Sequence, residues 1–265
     1  MLVAGVDVGS LTVKAVILKD GEVAATTTLI TGDDAATAAR TAINEALKSL
    51  AERGVSATLD SLDYVVATGV GRKEVAFAHE VKTDVRCDAV GARHLFPSVR
   101  TVVDIGAESC KVIRLSKKGR VEDFTANDKC ASGTGMFLDT LAKVIGVGVE
   151  KLGELSLKAK EPAKISSMCV VFAESEVISY IHKKTPVEDI IAGVHESISN
   201  RIFGMMNRVG IEKDVALVGG VARNVGVVRA LEARAGENIL VPEAPQIAGA
   251  LGAALIAAKA CEGGA

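Results

Sequence analysis

Residues 6–18 read VDVGSLTVKAVIL, and residues 103–115 read VDIGAESCKVIRL. Laid over each other without a gap, Asp7 meets Asp104, Gly9 meets Gly106 and Lys14 meets Lys111. Each stretch reads as a strand, a tight turn and a second strand, because β-branched residues flank a glycine turn. A further turn glycine then closes each hairpin, Gly21 in the first and Gly119 in the second. One hairpin met twice predicts a duplicated scaffold, and its halves are the units from which the fold is to be read.

A second pair of segments repeats as well. Residues 63–72 read DYVVATGVGR and residues 214–223 read DVALVGGVAR, which sets Asp63 against Asp214, Gly69 against Gly220 and Arg72 against Arg223. Each is a short apolar strand running into a glycine turn. The first pair lies 97 residues apart (7 to 104) and the second 151 (63 to 214), so the second half carries about 54 extra residues between its landmarks. Helices are expected over 33–53, closed by Gly54, and over 133–145, 173–184, 187–209 and 244–260. Strands alternating with helices give an α/β class with a mixed or largely parallel sheet. The expected lobes are 1–97 and 98–243, parted near Phe96-Pro97-Ser98, with an insert over about 125–180 in the second. The last stretch, 244–265, is expected to pack back on the first lobe.

Bulk composition narrows the function. A chain of 265 residues that is 49% hydrophobic can bury a sizeable core, and a net charge of −2 gives no reason to expect nucleic acid or an anionic membrane as partner. With two Tyr, six Phe and no Trp there are few platforms for stacking bases. No apolar run is long enough to cross a bilayer. Five cysteines at loose spacing (Cys87, Cys110, Cys130, Cys169, Cys261) argue against a disulfide framework and for a reducing cytoplasm. The histidines form no metal-ligand spacing and read as core or surface residues.

The glycine turns suit phosphate. In Asp7-Val8-Gly9-Ser10, free backbone N–H groups and a hydroxyl face an anion, and Gly9 lets it approach closely. Asp7 is placed to hold Mg²⁺ through water. Asp104-Ile105-Gly106-Ala107 repeats the device, and two such turns could clasp a phosphate chain and its metal between two lobes. A nucleotide could lie against Val218-Gly219-Gly220-Val221. Neither a Walker loop nor a G-x-G-x-x-G fingerprint is present.

Two cysteines lie in the extra segment, within NDKCASGTGMFLD at 127–139 and CVVFAESEVIS at 169–179. A four-iron cluster or a closed tetrahedral site wants four ligands, and Cys130 and Cys169 supply two. A symmetric dimer would supply the rest. Both cysteines precede expected helices, one opened by Ser132-Gly133-Thr134-Gly135 and the other by Ala173-Glu174-Ser175-Glu176. Positive helix ends aimed at a cluster would favour its reduced form.

Together these motifs, with GVDVGS at 5–10, ATGVGR at 67–72, VVDIGA at 102–107, GIEKDVALVGGVARN at 210–224 and GALGAAL at 249–255, cover nearly the whole chain. The chain resembles the actin, Hsp70 and sugar-kinase superfamily, whose duplicated, ribonuclease H-like fold holds a nucleotide cleft between two lobes. More closely it resembles the activators (ATP-dependent reductase components) of 2-hydroxyacyl-CoA dehydratases, a family that includes the ATP-binding subunits of benzoyl-CoA reductase. The resemblance implies an ATPase with catalytic Asp7, Asp104 and Glu108. It implies ATP/ADP contacts at Gly9, Ser10, Leu11, Lys14, Gly106, Ala107, Gly133, Thr134, Gly135, Gly219, Gly220, Val221, Asn224 and Gln246, with Mg²⁺ beside the phosphates. It further implies one [4Fe–4S] cluster bridging a homodimer through Cys130 and Cys169 of each copy. Reduced ferredoxin or flavodoxin would charge that cluster. ATP hydrolysis would change the angle between cluster-proximal helices, and the electron would pass to a partner iron–sulfur dehydratase or reductase. The chain departs from the family at Ala107-Glu108-Ser109, where Gly-Gln-Asp is common, and at Met136, where a basic residue is common. Two alternatives stand beside this reading: a small-molecule kinase on the same fold, which would leave the cysteines unexplained, and a non-enzymatic nucleotide-sensing or assembly subunit, which ATPase activity coupled to electron delivery would exclude.

Overall fold

A computed structural model describes residues 1–127, 134–166 and 170–263. The chain divides into two units. The first comprises Met1–Ser98, Lys117–Val121 and Gln246–Ala265; the second comprises Val99–Ser116 and Glu122–Pro245.

In the first unit, β1 (Leu2–Val8), β2 (Thr12–Lys19) and β3 (Glu22–Ile30) form an antiparallel meander. The tight turn between β2 and β3 places Asp20 and Gly21 at positive φ, which glycine adopts without steric cost. α1 (Ala35–Glu52) crosses back and β4 (Tyr64–Thr68) joins β1 in parallel, so the sheet order is β3-β2-β1-β4-β5 with β5 (Glu80–Val81) at the edge. The small-residue face of α1, including Ala39, Ala42, Ile43 and Ala46, is buried against this sheet. Asp34 caps the helix by accepting the Thr37 N–H, and Gly54 ends it at φ +86°. On the opposite face lie α2 (Asp84–Leu95) and α8 (Ala248–Glu262). They pack so closely that a side chain on Gly91 or Gly252 would strike the other helix's backbone.

The second unit repeats the plan. β6 (Thr101–Ile105) and β7 (Cys110–Leu115) form the hairpin, β8 (Val121–Asn127) lies beside β7, and β9 (Val215–Val218) runs parallel to β6. A lone parallel bridge, Ala216 to Leu240, takes the place that β5 holds in the first sheet. Where the first unit uses one helix between its third and fourth strands, the second uses α3 (Gly135–Ile145), α4 (Leu152–Ser156), α5 (Val170–His182) and α6 (Val187–Val209). α7 (Val225–Ala235) follows β9. Phe137, Leu141, Ala173, Val177, Ile191 and Ile198 join one apolar core under this sheet.

Three readings shift. The repeat of the glycine segments is one residue closer than the sequence alignment suggests. Ala4 pairs with Val65, and its counterpart Thr101 pairs with Val215, so Gly69 corresponds to Gly219 and not to Gly220. The two adjacent glycines offered two registers, and strand pairing selects one. α5 begins at Val170, three residues earlier than expected, because the weak helix preference of the Val-Val-Phe run does not stop the helix from extending over it. Finally, Pro245–Ile247 forms a single 3₁₀ turn before α8, so the last helix starts at Ala248.

Candidate active site

Each hairpin ends in the same ion pair. Asp7 and Lys14 are cross-strand partners, with the lysine Nζ donating to Asp7 Oδ2 at 3.4 Å. Asp104 and Lys111 repeat this at 3.1 Å. Lys111 was aligned with Lys14 in sequence without being counted as a site residue, and the shared register is the signal that could have found it. Both lysines are largely shielded from water, and the carboxylates lie at the strand ends. The glycine N–H closes each turn in the same way, Gly9 to Thr12 O at 3.0 Å and Gly106 to Ser109 O at 2.8 Å. That leaves the N–H groups of Ser10 and Leu11, and of Ala107 and Glu108, without hydrogen bonds among the described residues. Such paired, free amides form an anion-binding concavity. Ser10, Leu11 and Glu108 are exposed, and the Thr31 hydroxyl steadies the first turn by donating to Gly9 O.

The glycine turns after β4 and β9 sit against these carboxylates. Gly69, at φ +88°, lies so close that a side chain would strike Asp7 Oδ1 and Val8 O; Gly219, at φ +86°, does the same at Asp104 Oδ1 and Ile105 O. Only glycine fits both the backbone angle and the space. Gly220 is open on its side-chain face, while Val221 is buried. Asn224 ends the turn and turns inward, its Oδ1 accepting the Gly226 and Val227 N–H groups at 3.0 and 3.2 Å. Gln246, in the first unit, is half-buried, and its Oε1 lacks a partner among the described residues. Thr134 is fully buried at the N-cap of α3.

α3 is fastened to the second turn. The Gly135 N–H donates to Gly106 O at 2.9 Å and the Met136 N–H to Ala107 O at 2.8 Å, with Gly135 lying against Ala107 and Val221. Two of the helix's four unpaired N-terminal donors are thereby satisfied by the turn itself. Cys130, Cys169, Gly133 and the expected cap Ser132 lie outside the described residues. Their neighbours are described: α5 starts directly after Cys169, and α3 starts five residues after Cys130. Cys87 is buried in the first unit, where burial pushes its thiol up to about 12, and Cys110 is buried in the second. Among the described residues no His, Cys, Asp or Glu group could hold a metal, and no helix is long and apolar enough to cross a membrane.

Two hairpins with mirrored carboxylate turns, each roofed by a glycine, define an actin-like ATPase fold. Residues 4–257 match the BadF/BadG/BcrA/BcrD ATPase family, and the chain belongs to it. It is similar to the (R)-2-hydroxyglutaryl-CoA dehydratase activating ATPase of Acidaminococcus fermentans, with 44% identity over 96% of both chains. It is also similar to the 2-hydroxyisocaproyl-CoA dehydratase activator of Clostridioides difficile, with 42% identity over 97% of this chain and 95% of the relative. A solved structure of an activator of 2-hydroxyisocaproyl-CoA dehydratase, from Clostridium difficile with bound ADPNP, superposes with a TM-score of 0.92 at 40% identity, covering 100% of this chain and 97% of that one.

Proposed function

We propose that this ATPase is an activator that uses ATP hydrolysis to deliver a low-potential electron to a partner iron–sulfur enzyme, a 2-hydroxyacyl-CoA dehydratase or a related reductase. The observation that carries the reading is the pair of bonds from the start of α3 to Gly106 O and Ala107 O. They tie the turn to the helix that begins five residues after Cys130 in the sequence.

ATP would meet the free amides of Ser10 and Leu11 and those of Ala107 and Glu108. Asp7 and Asp104, each steadied by its lysine, would hold Mg²⁺ through water. Glu108 would orient the attacking water, and the Gly219–Val221 backbone would lie against the nucleotide. Loss of the γ-phosphate would shift the 106–107 turn, and α3 would follow, because ligands drive change only through contacts that differ between states. The donor chemistry fits a shared [4Fe–4S] cluster. Cys130 and Cys169 would supply two thiolates per chain, each ahead in sequence of a helix of the second unit, and the buried Cys87 and Cys110 are not available to complete a set within one chain. When bound, the cluster would supply one-electron transfer, with ferredoxin or flavodoxin as donor. The protein is then a cluster-bridged homodimer of the cytoplasm.

An anaerobic visible spectrum with an iron count tests this. The expected result is about four irons per dimer, bleached by dithionite. Cys130→Ser and Cys169→Ser should each abolish the cluster and keep ATP binding. A colourless dimer after anaerobic purification and reconstitution, or a normal cluster in either variant, would refute the assignment.

A further inference from the structure

The nucleotide reading leaves one buried group unused. His195 sits near the middle of α6, is 1% exposed, and belongs to neither turn. Its Nε2 lies 3.3 Å from Asn224 Nδ2. Asn224 Oδ1 already accepts two N–H groups at the start of α7, which fixes the orientation of the amide and leaves Nδ2 as a donor. His195 Nε2 therefore accepts, so the ring is neutral and its proton is on Nδ1, a buried atom without a hydrogen-bond partner among the described residues. A charged imidazole would set N–H against N–H.

The surroundings allow little slack. A side chain at Gly226 would strike both the Ser156 hydroxyl and the His195 ring, and one at Gly153 would lie 2.9 Å from Asn224 Oδ1. The Ser156 hydroxyl is held by Gly153 O at 2.7 Å. Thus α4, α6 and the start of α7 close on the Asn224 amide from three sides, all within the second unit. Asn224 is also the last residue of the segment that starts at Gly219, where the Gly219 N–H is pinned to Pro245 O at 2.9 Å. The segment thus has two fixed ends: Pro245 holds one, and His195, through Asn224, holds the other.

We infer that His195 is a positioning residue of the ATP site: it holds Asn224, and so sets the path of the Gly219–Val221 backbone without touching nucleotide. This rests on the reading that the Gly219–Val221 backbone lies against ATP. Its effect belongs to nucleotide affinity, since the carboxylates and free amides of both hairpins are untouched.

The test is steady-state ATPase kinetics on the anaerobically purified holoprotein, with melting temperature as a parallel readout. His195→Leu should raise the KM for ATP about tenfold, because the Gly219–Val221 path loses its hold at the Asn224 end, with kcat changed less than about twofold. His195→Gln, which can still accept from Asn224, should return KM to within about threefold of the native value at a similar melting temperature. A merely structural role predicts lowered melting temperatures with unchanged KM, or equal KM effects from Leu and Gln; either overturns the inference. Should His195→Leu not fold, His195→Asn, whose shorter amide falls short of Asn224, against His195→Gln decides: a tenfold rise in the first and none in the second supports it, and equal KM values refute it. Gly220→Asp, placed where a side chain has open space, separates the two layers. If it leaves KM unchanged, the nucleotide reading of the turn is wrong. If it raises KM while His195→Leu does not, only the present inference fails.

Discussion

In the first unit the turn at Gly9 is supported by its own strands and by the Thr31 hydroxyl. In the second, the matching turn at Gly106 carries a helix, because two of its carbonyls receive N–H bonds from α3. The carboxylate, the lysine and the roofing glycine are the same in both. What differs is what hangs from the turn. Duplication supplied the carboxylate turn twice, and in the second unit that turn is bonded to a helix of the inserted segment. Under the proposed reading the first turn would serve phosphate alone, while the second would also pass its movement to α3.

The sharpest way to break the comparison is at the roofing glycines. Gly69→Ala and Gly219→Ala each force a positive φ on alanine and push a methyl into a carboxylate and a backbone carbonyl. Each should cost roughly 3 kcal/mol or more in denaturant unfolding of its own unit. A mild effect at Gly219 with a severe one at Gly220 would restore the register read from sequence.

A second difference lies in pH. Burial pushes the His195 imidazole down to about 4 from an ordinary 6.5. Between those values the unfolded chain binds a proton that the folded chain refuses, so stability is full above pH 6.5 and falls as pH drops toward 4. The loss should reach about 3 kcal/mol in the second unit. Urea melts of native protein and His195→Gln at pH 7 and pH 5 check this: the variant should flatten the dependence.

The hairpin glycines separate the units further. A methyl at Gly9 would lie 2.8 Å from Thr12 O, whereas at Gly106 the nearest atoms stand 3.5 Å away. Gly9→Ala should therefore destabilise by about 1–2 kcal/mol and Gly106→Ala by less than about 0.5 kcal/mol, measured by thermal melts. The smallest contrast is between helix caps. Asn224→Ala should cost about 1–2 kcal/mol, because a buried histidine loses its donor as the cap is lost. Asp34→Ala, at an exposed cap, should cost less.

Much of this was legible in the sequence. Alternation and glycine placement gave both hairpins, and the cross-strand lysines follow from the ungapped repeat. α6 runs over the expected Val187–Val209, since its apolar spacing persists to Gly210. Register at Gly219-Gly220 was not legible, because either glycine satisfies the pattern and only pairing with β6 decides. The early start of α5 was hidden by valines that suit a strand equally well. His195 gave no sign, since a single histidine between Val194 and Glu196 has the same look whether it packs or holds. The tie between α3 and the turn could not be read at all, because bonds between backbones leave no mark in side-chain identity.

That silence has a use. Backbone-to-backbone bonds survive every substitution except proline, so residues 107, 108, 109 and 136 are free to drift while the linkage persists. Under the proposed reading, Ala107, Glu108, Ser109 and Met136 would be positions where a change of side chain leaves the bonds from α3 to the turn in place. Of these four residues only Met136 lends its amide hydrogen to the linkage, so only its replacement by proline would remove one of the two bonds.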